Sequence, residues 1–253
     1  MLALLEVAGL ALAGGMLVNL LADILPRDPW QWRLGSCPKC DTALPVWRSM
    51  PVIGLLGVYG RCLQCGEKLP RRHLWVGLAA PGTLLLMLWR VNNVPLLSLP
   101  LGALFTFYGV VALALLLIFI IDLEHHLILD VVTYPLIVAL LALGLLLNHR
   151  TLFFMLIGAV IAGGIFGCLY MMAYLIYRTD ALGLGDVKLA VLVGLLIGWP
   201  MIIQALFYGT LAGAATGIAL LIARRADRQT MIPLGTGLSL GAFLALLLAP
   251  LLW

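Results

Sequence analysis

Long apolar runs separated by short polar breaks account for most of the chain. Eight of these runs are candidates to cross a bilayer as a helix, which takes ~20 residues. They occupy residues 2–25 and 74–90, a stretch ending at 122, residues 131–147, 152–177 and 186–199, a stretch ending at 223, and residues 233–253. Hydrophobic residues make up 64% of the chain and charged residues 10%, whereas soluble domains average roughly 45–50% and 25%. The pattern predicts an all-α polytopic membrane protein with about eight transmembrane helices in a lipid bilayer.

The one long polar segment, residues 27–73, contains two Cys-x-x-Cys pairs. Cys37 and Cys40 form the first pair and Cys62 and Cys65 the second, with 21 residues between them, close to the spacing of four-cysteine zinc ribbons. Four thiolates complete a tetrahedral shell and leave no position for a catalytic water, so we expect one structural zinc ion. The alternative is two disulfide bonds.

Basic residues are strongly biased to one side of the predicted topology. With both termini outside, thirteen of the fifteen Lys and Arg residues lie on cytoplasmic loops or edges, eight of them in segment 27–73. The positive-inside rule therefore places this segment in the cytoplasm, where thiols stay reduced, and this favours zinc over disulfides. The net charge of +4 says little about nucleic acid, and we expect no nucleic-acid partner.

The predicted organisation has three parts. Residues 1–26 form a first transmembrane helix, residues 27–73 a zinc-ribbon-like cytoplasmic loop, and residues 74–253 a seven-helix membrane domain. The first apolar run lacks a basic leader and a small-residue cleavage site, so we expect it to be a retained span.

Two aspartates stand at the cytoplasmic edges of apolar runs. Asp122 follows the run 115–121, and Asp186 follows Gly183 and Gly185 at the start of another. An ionisable residue at a membrane edge is costly and marks a candidate functional site, although Asp186 alone could also be a helix N-cap. The two glycines allow another backbone to approach closely.

Paired carboxylates carry a specific chemistry. Two carboxylates that face each other share a proton, because ionising both is costly. The ionised one can take a proton from water while the protonated one donates to a carbonyl, as in aspartic proteases. We therefore expect Asp122 and Asp186 to form a catalytic pair that needs neither a metal nor a covalent nucleophile.

The other ionisable residues near these aspartates are weaker candidates. Glu124 and Asp130 could tune the pair or contact substrate, and Lys188 is expected to extend its amine to the membrane interface. His125 and His126 are adjacent, so on a helix they diverge by about 100° and do not suit chelation of one metal ion. We expect both to be solvated.

With these motifs the chain resembles the bacterial type IV prepilin peptidases, which are Gly-x-Gly-Asp membrane aspartyl proteases. The resemblance covers nearly the whole chain. It rests on Asn19 and Pro26 of a first-span signature, the two cysteine pairs, the segments 121–130 and 183–189 around the aspartates, and Pro-x-Gly at 233–235.

The resemblance implies cleavage of prepilin and pseudopilin leader peptides at the cytoplasmic face of the bacterial inner membrane. It implies Asp122 and Asp186 as the catalytic dyad, and substrates with a basic leader and an apolar stem helix that serve type IV pili or type II secretion. Many members also methylate the new N-terminus with S-adenosylmethionine, and this second activity is left open here. Gly77 stands where the second span usually has Glu.

Three further departures leave the peptidase expectation intact: Ile24 stands in place of a frequent Arg, and Leu129 and Thr236 each in place of a frequent Pro.

Three other classes of protein are alternatives to a prepilin peptidase. A presenilin-like or signal-peptide-peptidase-like protease shares Gly-x-Gly-Asp, but lacks the zinc loop and would carry Pro-Ala-Leu. A proton or cation transporter would place its carboxylates near mid-bilayer between repeats. A non-catalytic assembly scaffold with a zinc loop is the third.

Overall fold

The computed structural model describes residues 2–26, 40, 42, 62, 64–66, 72–93, 101–178, 183–222 and 234–248. Within these residues all regular structure is helical, as the apolar runs predict. The helices are α1 (Leu2–Ile24), α2 (Arg72–Asn93), α3 (Leu101–His125), α4 (Asp130–Leu147), α5 (His149–Tyr177), α6 (Leu184–Ile197), α7 (Ile202–Ile222) and α8 (Leu234–Leu248).

Three helices in the described part of the chain are long and apolar enough to cross a membrane. They cover Gly102–His125, Asp130–Leu147 and His149–Ile176. Shorter apolar helices cover Ala13–Ile24, Ile202–Ile218 and Leu234–Leu248. The chain is thus a helical membrane protein, whereas a full count of eight spans stays a prediction.

The chain divides into two compact units, residues 1–95 with 99–117 and residues 96–98 with 118–253. In the first unit α1 packs along α2, and Ala22, Ala80 and Met87 are buried. A Cβ on Gly14 would lie 2.8 Å from a methyl carbon of Leu113, so α1 and the first part of α3 are also in close contact. The predicted boundary between residues 73 and 74 stays a prediction.

Helix α6 is the core of the second unit. It packs against α4, α5, α7 and α8, and its second half is buried almost without interruption. A helix that is apolar on every side is either a membrane span or buried in a protein core, and here four helices surround it. The polar first turn of α6, which carries Asp186, therefore stays in place relative to four other helices.

Glycines bring α5 and α6 into backbone contact. Gly158 faces the Gly194 carbonyl oxygen, and a Cβ on Gly194 would lie 2.6 Å from Ala159 Cα. Small residues let helix backbones approach closely in a membrane, and the resulting van der Waals packing helps to hold the helices together. The sequence predicts this role for four glycines of α5. It is confirmed for Gly158 and Gly163, whereas Gly164 and Gly167 face open space.

A second glycine contact joins α7 and α8. Gly209 and Gly213 lie against Gly237 and Gly241, and a Cβ on Gly237 would lie 2.8 Å from Gly213 Cα. Both pairs have the small-xxx-small spacing of membrane helix interfaces. Cys168 in the middle of α5, for which the sequence predicts a packing role, is exposed.

Candidate active site and cysteine cluster

Asp122 lies in the last turn of α3, and only 4% of its surface is exposed. The helix continues to His125, so the predicted end at Asp122 is one turn too early. Asp122 Oδ2 accepts a hydrogen bond of 2.6 Å from the backbone N–H of Thr236. Thr236 is the third residue of α8, and N–H groups in the first turn of a helix have no partner within it. Asp122 therefore caps α8, at the end where the helix dipole favours negative charge.

Gly235 allows α8 to come this close. A Cβ at this position would lie 2.8 Å from Asp122 Cγ and 2.9 Å from Oδ2, well inside the ~3.5–4.0 Å of an optimal contact. The N–H donor of Thr236 matters as much as the room that Gly235 leaves for α8. A proline in place of Thr236 would have no N–H to donate, so this hydrogen bond depends on one of the departures noted in the sequence.

Asp186 is the third residue of α6. The helix begins at Leu184 with Gly183 as its N-cap, so Asp186 is not the N-cap and the predicted start at Asp186 is two residues late. The backbone N–H of Gly183 donates a hydrogen bond to the Asp186 carboxylate. An acidic residue at the third position that bonds back to the N-cap N–H forms half of a capping box.

The two predicted aspartates lie near each other in the second unit. Their carboxylates are close enough to interact electrostatically, although they come from α3 and α6. Each also interacts with a helix N-terminus, Asp122 with that of α8 and Asp186 with that of its own helix. The positive ends of two helix dipoles therefore offset part of the cost of holding two carboxylates together. The arrangement can share one proton between the two groups.

The segment between α3 and α4 lies against both glycine motifs. It comprises residues 126–129, and His126 begins it with a φ of 53° and an N–H bonded to the Asp122 carbonyl. Cβ atoms on Gly185 and Gly235 would lie 2.9 and 3.0 Å from side-chain atoms of Ile128. Ile128 thus packs between the two helix N-termini that carry the site. The sequence carries no signal for this role, because Ile128 stands between two leucines and nothing in the pattern sets it apart from them.

Asp130 and Lys188 form an ion pair beside the aspartates. Lys188 Nζ lies 2.7 Å from Asp130 Oδ1 and 2.9 Å from Oδ2, so it engages both carboxylate oxygens. It also lies 5.3 Å from the ring centroid of Tyr134, a distance at which a cation is attracted to the ring. The sequence predicted only that Lys188 extends to the membrane interface. It did not reveal that Asp130 is the partner of its ammonium group.

The remaining predicted residues lie at the exposed C-terminal end of α3 and just after it. Glu124, His125 and His126 are all exposed. His125 Nε2 lies 3.9 Å from Glu124 Oε2, and His126 is close enough to Asp122 to interact with its charge. Among described residues the one cluster with metal-ligand geometry is made of cysteines, and the solvation of both imidazoles stays a prediction.

Three of the four predicted zinc ligands come together in the first unit. Ligand atoms of Cys40, Cys62 and Cys65 all lie within 4.8 Å of one another, and Cys40 Sγ is 3.7 Å from Cys62 Sγ. Thiolates at about 2.3 Å from a common tetrahedral zinc would be ~3.8 Å apart, so the spacing fits. At 3.7 Å the sulfur atoms of Cys40 and Cys62 are too far apart for a disulfide bond between them. Cys37 lies outside the described residues.

A tight turn supports this cluster. Gly66 follows Cys65 with a φ of 71°, and its N–H bonds to the Cys62 carbonyl at 2.9 Å. This left-handed conformation suits glycine and folds the chain so that two thiols face the same point. The Cys40 thiol also contacts the Thr42 hydroxyl at 3.2 Å.

The fold and these two sites define a class: a helical membrane protein with an aspartate pair and a cysteine cluster. Comparison with known proteins specifies it further. Residues 109–218 match the type IV leader peptidase family, and residues 9–91 match the bacterial peptidase A24 N-terminal domain. The first match includes both aspartates and the second includes all four cysteines.

Full-length relatives agree with these matches. A prepilin leader peptidase/N-methyltransferase of Pseudomonas aeruginosa is 30% identical over 84% of this chain and 70% of the relative. Proteins of the same name are 29% identical in Stutzerimonas stutzeri, over 83% and 70%, and 31% identical in Burkholderia pseudomallei, over 81% and 64%. No solved structure showed significant similarity. The chain belongs to the type IV leader peptidase family.

Proposed function

We propose that this protein is a membrane aspartic endopeptidase that removes leader peptides from type IV prepilins and pseudopilins, with Asp122 and Asp186 as its catalytic pair. The observation that carries the proposal is that these two carboxylates lie at the N-termini of α6 and α8, and that both N-termini contact Ile128. The names of the relatives supply the substrate class. They also disfavour a presenilin-like protease, a transporter and a scaffold.

The chemistry follows from the shared proton. The ionised carboxylate takes a proton from a water molecule, which attacks the carbonyl carbon of the scissile peptide bond. The protonated carboxylate donates to the carbonyl oxygen, and the tetrahedral species collapses when the departing amine takes a proton. The two helix N-termini stabilise negative charge at the pair throughout. Neither step requires a metal ion.

The test is cleavage of a prepilin by the purified protein in detergent or lipid nanodiscs. We expect a gel shift to a product whose new N-terminus, read by mass spectrometry, lies at the end of the leader. Asp186→Asn, prepared in the same way, is the control for a contaminating protease. An intact substrate after long incubation with well-folded protein would refute the proposed function.

We further propose that the pair acts at the cytoplasmic face of the bacterial inner membrane. The bias of basic residues supports this orientation. A reporter fused after residue 253 should read as periplasmic, and one inserted in 224–228 as cytoplasmic. If both report the same side, the eighth span is misassigned. If segment 27–73 reports outside, the whole orientation is wrong.

We propose that Cys37, Cys40, Cys62 and Cys65 bind one structural zinc ion. The sulfur spacing of the three described cysteines supports tetrahedral ligation. Bound zinc would supply folding energy to the loop and no chemistry to the peptidase site, because four thiolates leave no open position.

Methylation of the product is a separate proposal. The relatives are named N-methyltransferases, and S-adenosylmethionine carries a positive charge that a carboxylate would stabilise. Gly77 is buried in α2 and offers no such group, although Asp23 lies on α1, which packs along α2. We expect this chain to cleave prepilin and to methylate poorly. Mass spectrometry of the mature N-terminus tests this expectation. A methyl group on most product molecules would show that Gly77 does not impair methylation.

A further inference from the structure

We propose that the ion pair between Lys188 and Asp130 is a positioning contact that keeps the two catalytic carboxylates in the correct positions relative to each other. The inference rests on the proposed function. It deepens that function by assigning a role to two charged residues that are not themselves expected to touch the scissile bond.

The pair closes a ring of contacts around the site. Starting at Asp122, the chain leaves α3 through residues 126–129 and enters α4 at Asp130. Asp130 binds Lys188 with both oxygens, at 2.7 and 2.9 Å. Lys188 lies two residues after Asp186, whose carboxylate interacts with that of Asp122. Two links of this ring are not covalent. One is the interaction between the two catalytic carboxylates, and the other is the ion pair that the Lys188 ammonium forms with Asp130.

The direction of the side chains favours positioning over direct catalysis. Residues two apart on a helix diverge by roughly 200°, so Lys188 and Asp186 leave α6 on different sides. Lys188 instead faces α4, where Asp130 and Tyr134 are four residues apart and lie on one face. The contact therefore sets the rotation of the first turn of α6 relative to α4.

Ile128 explains why that rotation matters. It belongs to the connection that Asp130 terminates, and it packs against Gly185 and Gly235. When Lys188 holds the start of α4, it also holds Ile128 between the two helix N-termini that bind the carboxylates. Without the ion pair, the connection loses an anchor one residue from its end. A displacement of about 1 Å in a catalytic group can cost ~10²-fold in rate.

The experiment is a double-mutant cycle with Lys188→Met, Asp130→Asn and the combination, measured as prepilin cleavage per folded enzyme. We expect each single variant to lower kcat about tenfold with KM within about twofold, and the double variant to be no worse than either single one. Lys188→Arg, which keeps a cation of similar reach, should recover much of kcat. Arg150→Met, which removes an exposed cation at the start of α5, should leave kcat unchanged.

The other outcomes overturn the inference in distinct ways. A rise in KM with constant kcat would make Lys188 a substrate contact. Additive losses would show that the two residues act separately. Lower thermal stability with normal kcat would make the pair purely structural. Absence of cleavage by the wild-type enzyme would instead refute the proposed function, and this result is distinguishable because it does not depend on any variant.

Discussion

The aspartate site and the cysteine cluster are built in opposite ways. The cysteine cluster comes from two short motifs, and a tight turn at Gly66 aims Cys62 and Cys65 at one point. The aspartate site takes one carboxylate from α3, another from α6, a donor from α8 and an ion pair that links α4 to α6. One site depends mainly on local geometry and the other on the packing of four helices.

This difference predicts different responses to mutation. A closed site of four thiolates affects folding and leaves the chemistry elsewhere unaffected. A site assembled from packed helices is sensitive to small displacements, because its reacting groups must stay within hydrogen-bonding reach of substrate and water. Mutations at the aspartate site should therefore reduce catalysis most, and mutations at the cysteine cluster least.

The largest effect is expected at the pair itself. Asp122→Asn or Asp186→Asn removes a group that must exchange a proton, which contributes about 10²–10⁴-fold to a rate. Single-turnover cleavage of prepilin should fall by at least that factor, while circular dichroism and gel filtration stay normal. Glu124→Gln, an exposed neighbour on the same helix, should have a much milder effect. Substantial turnover by either asparagine variant would exclude a paired mechanism.

The next effect is expected at Gly235. In Gly235→Ala the new methyl group would start 2.8 Å from Asp122 Cγ, so α8 or the carboxylate must move. We expect kcat to fall about 10–10²-fold. Gly164→Ala is the matched control, because a Cβ there meets open space. If both alanine variants were equally active, the close approach of α8 would not be needed for catalysis.

Helix packing beneath the site comes third. Gly194→Ala would place a methyl group 2.6 Å from Ala159 Cα, against backbone that cannot rotate away. Overpacking typically costs about 1–3 kcal/mol, so thermal unfolding should occur at a lower temperature, with a smaller loss in kcat than at Gly235. Gly167→Ala, on the open side of α5, should be neutral or slightly stabilising. Equal Tm values would contradict direct contact between α5 and α6.

The smallest effect on the chemical step is expected at the cysteine cluster. Cys62→Ser should lower zinc content, yield and thermal stability, yet change kcat per folded enzyme less than about twofold, because a closed metal site supplies folding energy. Elemental analysis of the wild type should give about one zinc per chain. Cys168→Ser, an exposed cysteine outside the cluster, should change neither quantity. Wild-type protein with no zinc and oxidised thiols would defeat the proposed site.

Much of the helical pattern could be predicted from the chain itself. The start of α1 and the ends of α4 and α5 agree closely with the apolar runs, because hydropathy is a local property of consecutive residues. Helix ends next to charged residues were predicted less well. α3 extends one turn past Asp122 and α6 starts two residues before Asp186, since a charge within a helix is acceptable once another element satisfies it.

The sequence by itself determined the membrane class, and it indicated the two cysteine pairs and the two aspartates as candidate sites. Each of these follows from composition or from spacing within about ten residues. Only the tertiary structure decided that Asp122 caps α8, that Lys188 binds Asp130 and that Ile128 packs between Gly185 and Gly235. These contacts join residues far apart along helices that are apolar on nearly every side. Such helices carry too little amphipathic pattern to show which face meets which neighbour.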